Sequence, residues 1–331
     1  MKKIVTIGGV TKDISFLVSE GLIIDNHRDL LRQELLAFER GAKIKVDKFY
    51  HLFGGGAANA AVNFAKSGFD VSCAAAIGDG FAGREIIANF KKHQVKTDLI
   101  VIEKNGETGF SFILIEQEGA RIIFANRCAN DDFFLADAAG EKIKKADWVY
   151  LTSLGHHWEK TLKVLMKNKN LQLAWNPGRL QLSADIVVLS PYFKRTKLLI
   201  LNRDEAVELI SSCQAYRHQT RHFFSRVENL LAALKSFGPE IVIITSGEEG
   251  ADAFDGHDFY HQEVEKEKKK VDTTGIGDIF NSSVLAGLIL SGGDLKKSLK
   301  IAAKNAASKI GSLGAQTGYM NLRPYFKNKK K

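Results

Sequence analysis

Short apolar runs alternate along most of this chain with longer stretches whose apolar residues recur every three or four positions. Ile4–Ile7, Val71–Ala76, Trp148–Leu151, Leu171–Ala174, Leu198–Leu201 and Ile241–Ile244 are too short for helices, and each reads as a buried strand. Between them, Ala57–Lys66, Ala82–His93, Leu135–Lys144, Glu159–Met166, Asp204–Ile210, Val227–Phe237 and Leu295–Ile310 have a helical period. The small and aliphatic run Asn281–Ile289 continues a further helix. Strand–helix alternation predicts an α/β fold, a three-layer α/β/α sandwich around a mostly parallel central sheet. Ligands in such sheets bind beyond the carboxyl ends of the strands.

Two stretches break the alternation. Ile14–Val18, Gly21–Ile24 and Lys43–Leu52 form the first; Thr108–Glu116 and Arg121–Ala125, joined by Gln117-Glu118-Gly119-Ala120, form the second. Both predict antiparallel strands inserted into a single α/β domain, over approximately residues 13–52 and 99–127. Ser211–Ser225 has no clear period and reads as a surface loop.

The most informative segment is Val271-Asp272-Thr273-Thr274-Gly275-Ile276-Gly277-Asp278-Ile279-Phe280, where a turn with two glycines becomes a long apolar helix. A helix start offers unpaired N–H groups and the positive end of the macrodipole, which favour an anion. Glycine lets the backbone approach that anion closely. A carboxylate there makes chemical sense if Asp278 takes a proton from a hydroxyl attacking a phosphate held by the N–H groups of Gly275, Ile276 and Gly277. That arrangement belongs to a phosphotransferase.

Other segments carry a chemical and a plain reading side by side. Gly54-Gly55-Gly56 precedes a small-residue helix, which suits tight packing or a ligand mouth with Asn59 in its first turn. Asp13 is an ordinary turn acid or a carboxylate accepting from two adjacent hydroxyls of a polyol. Asn202 reads as a helix N-cap followed by the acids Asp204 and Glu205. Thr245-Ser246-Gly247-Glu248-Glu249-Gly250 is a turn from which Ala251–Phe254 can pair back. Gly78-Asp79-Gly80-Phe81-Ala82-Gly83 satisfies G-x-G-x-x-G with Asp98 about twenty residues on, but that acid precedes an apolar run instead of ending one. No Walker lysine motif is present, and His156-His157 shows no third ligand pattern.

Composition narrows the classes. The chain has 331 residues, 45% of them hydrophobic, enough for a large core. Cys73, Cys128 and Cys213 lack metal-type spacing and read as buried, inert thiols of a reducing compartment. The apolar stretch after Met1-Lys2-Lys3 is too short for a signal peptide, and no run approaches the ~20 residues of a membrane span. A cytoplasmic protein without membrane partners is expected. The net charge of +9 sits largely in Lys266–Lys270 and the tail Lys327–Lys331. Without aromatic interleaving these read as solvated segments, and no nucleic-acid partner is expected.

The segment ending in Asp278 resembles the second signature of the ribokinase-like carbohydrate kinases (the phosphofructokinase B family), D-T-x-G-A-G-D, with Ile276 in place of alanine. The region Gly54–Asn59 resembles the first signature, and the resemblance runs from Ile4 to about Gly318. It implies a ribokinase-like fold with a small β-sheet lid, which in some relatives also dimerises. It further implies an ATP- and Mg²⁺-dependent kinase acting on a hydroxyl of a sugar or sugar-like substrate, with Asp278 as base. By the same resemblance Asp13, Gly54, Gly55 and Asn59 hold the acceptor. Asn202 and Glu205 match N-x-x-E, where the Glu places Mg²⁺ largely through water. Thr245, Gly247 and Gly250 match a nucleotide-binding turn, with Thr274 nearby, and Asn305 on the last helix contacts adenine. Several relatives bind a monovalent cation such as K⁺ near the matches of Asp272, Thr274 and Gly314. Thr11 and Gly56 depart from ribokinase itself, which has Asn and Lys there; both weigh against ribose and leave the reaction class unchanged. The rival readings are a nucleoside kinase of the same fold, a dinucleotide-dependent oxidoreductase and a non-catalytic ligand-sensing relative.

Overall fold

Successive residues of the central strands face opposite cores. Leu198 and Ile200 join one buried cluster and Leu199 and Leu201 the other; Ile243 and its neighbours Val242 and Ile244 divide the same way. A period of two with both faces apolar is what a sheet covered by helices on each side requires. The computed structural model describes residues 1–26, 34–116, 121–266 and 270–326.

Its strands are β1 (Lys3–Ile7), β2 (Thr11–Leu17), β3 (Leu22–Asp25), β4 (Glu34–Ala37), β5 (Lys48–Gly54), β6 (Asp70–Gly78), β7 (Lys96–Glu103), β8 (Phe110–Ile115), β9 (Arg121–Asn126), β10 (Trp148–Leu151), β11 (Gln172–Trp175), β12 (Thr196–Asn202), β13 (Ile241–Thr245), β14 (Ala251–Phe254) and β15 (Phe259–Gln262). The large sheet runs β15-β14-β13-β12-β11-β10-β1-β6-β7. All its pairings from β7 to β13 are parallel, and only β14 and β15 are antiparallel. The three-layer, mostly parallel architecture is therefore as expected.

Helices Gly56–Lys66, Ile276–Ser291 and Leu295–Ile310 cover one face. Every residue from Ile279 to Leu288 is buried. That is why the sequence there is apolar and small on all sides, without an amphipathic period. On the other face Trp158, Leu162, Phe193, Leu209 and Leu230 pack together. Two of the helices there, Arg179–Leu182 and Ile186–Phe193, were not among the expected helices. Ser211–Ser225, expected as a loop, contains a 3₁₀ turn at Gln214–Tyr216 and the helix Arg221–Ser225. Both lie at the surface with Tyr216, Phe223 and Phe224 partly buried against the core, and the Thr220 hydroxyl caps the helix.

A separate four-stranded sheet, β5-β2-β8-β9, is built from the two insertions. Here the structure corrects several expectations. β2 and β8 pair in parallel, which joins the insertions edge to edge. Leu99–Glu103 belongs to β7 of the large sheet, so the second insertion starts later than residue 99. The strand expected from Lys43 to Leu52 begins only at Lys48, and β3 pairs with the unforeseen β4 as a two-stranded ribbon. The turn 117–120, residues 267–269 of the lysine run and the tail 327–331 lie outside the described residues. Cys73 and Cys213 are buried, as expected, but Cys128 is only partly so; burial pushes the Cys73 thiol up to about 12. Among the described residues no helix is long and apolar enough to cross a membrane.

Candidate active site

The alternation of side chains along β2 and β8 puts Asp13 and Ser111, which are register partners, on the same face of the small sheet. Both are buried, at 5% and 8% exposure. The Thr11 hydroxyl donates to Asp13 Oδ1 at 2.8 Å, and Ser111 also bonds the carboxylate. Burial nevertheless holds the Asp13 carboxyl above its ordinary value. The glycine run lies against it. A Cβ on Gly54 would run into the Asp13 carboxylate, and one on Gly56 would lie 3.2 Å from Asp278 Oδ1. Gly54, Gly55 and Gly56 thus let two acids and the backbone share one small space, at the ends of β5 and β1.

Asp278 sits in the first turn of the helix Ile276–Ser291. Its Oδ2 accepts from Asn59 Nδ2 at 2.8 Å; Asn59 Oδ1 accepts from Gln316 Nε2 at 3.1 Å; Gln316 Oε1 accepts from Asn89 Nδ2 at 2.8 Å. Burial raises the Asp278 carboxyl above its usual range, the Asn59 bond opposes that, and the Asp13 charge adds to the rise. A raised carboxylate pKa brings a base closer to the working pH. Asn59 was expected to face the acceptor. At 3% exposure, with its amide shared between Asp278 and Gln316, it holds the acid in place instead.

At the helix start the three expected donors differ in their partners. Gly275 is the N-cap, at φ 76°, and the N–H groups of Gly275 and Gly277 have no protein partner among the described residues. Gly277 borders open space. The N–H of Ile276, expected as the middle donor, instead donates to the Thr273 carbonyl at 3.3 Å. Thr274 is also committed to the protein: its N–H donates to Asp272 Oδ1 at 2.8 Å and its hydroxyl accepts from Arg121 at 3.3 Å.

A second group of expected residues lies three strands along the sheet edge, about 14 Å from β1 at normal strand spacing. Asn202 and Thr245 are register partners at the ends of β12 and β13. Asn202 and Glu205 form a capping box: Glu205 N–H donates to Asn202 Oδ1 at 2.8 Å and Asn202 N–H to Glu205 Oε2 at 2.9 Å. The N-cap reading of Asn202 is what the geometry shows. Glu205 retains its other oxygen. Burial and the neighbouring Asp204 and Glu208 raise its carboxyl, opposed only by the Asn202 backbone bond. Such an uncompensated acid suits a Mg²⁺ ion that keeps most of its waters. Gly247 and Gly250 both take positive φ in the turn after Thr245, and Ser246 N–H donates to Gly250 O at 2.8 Å. Among the described residues no cluster of three or more metal-type side chains is present.

Asn305 is a plain correction. It has no exposed surface, its Nδ2 donates to Asn63 Oδ1 (3.0 Å) and Ser283 Oγ (2.8 Å), and its Oδ1 accepts from Met320 N–H (2.7 Å). A side chain so fully used between helices does not reach an adenine. The Gly78–Gly83 turn lacks the acid of a dinucleotide site, as its sequence context indicated. Asp98 stands near the start of β7, bonded to Ser72, and so lies at the end of the sheet away from the carboxyl edge where a dinucleotide's ribose would sit.

Asp272, Thr274 and Gly314 do come together, with Gly314 N–H donating to Asp272 Oδ2 at 2.7 Å. The Lys309 ammonium already lies there, 2.7 Å from the Asp272 carbonyl and 3.5 Å from Oδ2. These residues do not fit a free monovalent cation, because an ammonium holds the oxygens it would need. Lys309, Gln316, Asn89 and Arg121 were all missed, and nothing local in the sequence sets them apart from ordinary helix, loop and strand residues.

A sequence profile described as pfkB family carbohydrate kinase matches residues 16–321. An uncharacterized sugar kinase of Archaeoglobus fulgidus is 26% identical over 265 residues, which cover 78% of this chain and 98% of that protein. A ribokinase of Dictyostelium discoideum is 25% identical over 292 residues, covering 85% and 89% of the two chains. Among solved structures, Arabidopsis thaliana ribokinase complexed with ribose and ATP superposes with a TM-score of 0.77 at 19% identity, over 99% of this chain and 100% of that one.

Proposed function

The chain belongs to the pfkB family of carbohydrate kinases, and we propose that it transfers the γ-phosphoryl group of ATP to a hydroxyl of a sugar-type acceptor with Asp278 as general base. The observation that carries this reading is the place of Asp278: beside Asp13, bonded to Asn59, and in the same helix turn as the N–H groups of Gly275 and Gly277, which have no protein partner among the described residues.

Asp13 accepts from the acceptor's hydroxyls and fixes their direction. Asp278, oriented by Asn59, takes the proton of the attacking hydroxyl as the bond to phosphorus forms. The N–H groups of Gly275 and Gly277 hold charge on the transferring phosphoryl. Donors of this kind are worth about 3 kcal/mol each when preorganised. The turn Thr245–Gly250 lies where the nucleotide is held. Mg²⁺, when bound, neutralises phosphate charge, and the free oxygen of Glu205 would hold it through water. The small sheet carries Asp13 and Ser111, and we read it as a lid that excludes water.

A coupled assay over sugars, sugar phosphates and nucleosides with Mg·ATP tests the reading. ADP release above the acceptor-free rate by at least one sugar-type acceptor is expected; none across the panel counts against it. Glu205→Gln keeps the helix cap, since Gln also caps, and is expected to raise the Mg²⁺ needed for half-maximal turnover about tenfold. An unchanged Mg²⁺ titration removes Glu205 from that role.

The outer face of the small sheet supports a lid-mediated homodimer. By register Phe49, Phe112 and Phe124 share that face, and they are 64%, 40% and 57% exposed. Exposed aromatic patches of this sort mark association surfaces. Light scattering should give twice the 36.6 kDa chain mass; a monomer at all concentrations rejects the dimer.

A further inference from the structure

The loop that carries the anion cradle is held from both sides by cations of the protein's own. Lys309, in the last turn of the helix Leu295–Ile310, has no exposed surface. Its Nζ donates to the Asp272 carbonyl at 2.7 Å and lies 3.5 Å from Asp272 Oδ2. The same carboxylate accepts from Thr274 N–H on one oxygen and from Gly314 N–H on the other. So one ammonium and one carboxylate tie together the turn before Gly275 and the loop after the helix. From the small sheet, Arg121 donates to the hydroxyls of Thr273 (2.7 Å) and Thr274 (3.3 Å).

Burying an ammonium is costly unless it is paired and hydrogen-bonded, as Lys309 is. Burial pulls the Lys309 pKa down to about 8, while Asp272 works to keep it charged. A hard monovalent cation at this place would use the Asp272 carbonyl and carboxylate oxygens. Those are the atoms Lys309 occupies. With Arg121 adding positive charge from the Thr273 and Thr274 side, a free ion beside Lys309 would meet like charge, which repels at such range.

We propose that the Lys309 ammonium is a tethered replacement for a free monovalent cation at the Asp272–Gly314 junction, so that the cradle is ordered and the enzyme turns over without K⁺. Lys309 touches neither ATP nor acceptor; it is a positioning residue that acts through the Asp272–Gly275 turn. The idea rests on the phosphotransfer reading, but its test also has a thermal readout that does not.

Turnover and melting temperature are measured in tetramethylammonium chloride, too bulky to enter, and then with K⁺ added at constant ionic strength. For the wild-type chain neither quantity is expected to change. Lys309→Ala is expected to lose about 100-fold in kcat in tetramethylammonium. It should regain activity and melting temperature when K⁺ or methylammonium fills the vacated space. Activation of the wild type by K⁺ of about tenfold or more, or a K⁺-dependent rise in its melting temperature, would overturn the proposal. So would a folded Lys309→Ala that no small cation rescues. Should that variant fail to fold, the wild-type titrations decide alone. If no acceptor is phosphorylated, the functional reading fails, while the melting temperatures still judge the lysine.

Discussion

Asp278→Asn lowers kcat by about 10²- to 10⁴-fold, the range expected for loss of a general base, and leaves ATP affinity unchanged. The substitution preserves shape and still accepts from Asn59 Nδ2, so the chain Asn89–Gln316–Asn59 keeps its geometry. What it removes is the ability to take a proton. Stability moves the other way. The folded-state pKa of Asp278 is raised, so the folded protein prefers the protonated acid. That contribution is fully present below the unfolded-state pKa and is lost as pH rises through the folded one. At neutral pH the charged carboxylate is a liability, and Asn relieves it. A melting temperature higher by about 2 °C is expected. The same shift places the acid limb of kcat above the ordinary carboxylate range, and removing the Asp13 charge with Asp13→Asn moves that limb to lower pH. Steady-state kinetics, isothermal titration with ATP and thermal melts check these together. Turnover of Asp278→Asn near that of the wild type takes the role of base away from it.

Gly275→Ala is the second large effect, with kcat reduced about 10²- to 10³-fold, the cost of losing one such donor. Gly275 holds φ 76° at the helix N-cap, and a Cβ there would lie 2.8 Å from the Ala315 Cβ. The turn must shift to admit it, and the unpaired N–H groups shift with it. Gly292, the C-cap of the same helix, provides the control. It holds a similar φ of 72° but has open space around it. Gly292→Ala carries the strain of a left-handed alanine, about 1–3 kcal/mol, and leaves kcat alone. If both variants lose turnover equally, or neither does, the cradle at Gly275 is not where the phosphoryl charge is held.

The element pattern was legible because each buried strand is apolar on both faces and each helix between has its own period. Trp148–Leu151 and Leu295–Ile310 match the structure residue for residue. The helix Ile186–Phe193 was not among the expected elements. There Asp185 caps the helix through Val187 N–H at 2.8 Å, and Pro191 is accommodated inside it. The segment Asp272–Asp278 was legible as chemistry because one helix start holds glycines and acid together within a single turn. Asn59 and Asn305 were placed at roughly the right elements but given the wrong partners.

What the chain alone determined is therefore everything set by neighbours in sequence: the alternation that makes a covered parallel sheet, and a helix start built to receive an anion beside an acid. What tertiary structure decided depends on register and helix rotation across long separations. Gln316 meets Asn59 from 257 residues away, and β2 meets β8 in parallel. Lys309, outwardly an ordinary residue at a helix end, turns inward to the oxygens of Asp272. A hydrogen bond needs its atoms within about 3 Å, a condition that composition and spacing along one segment do not encode.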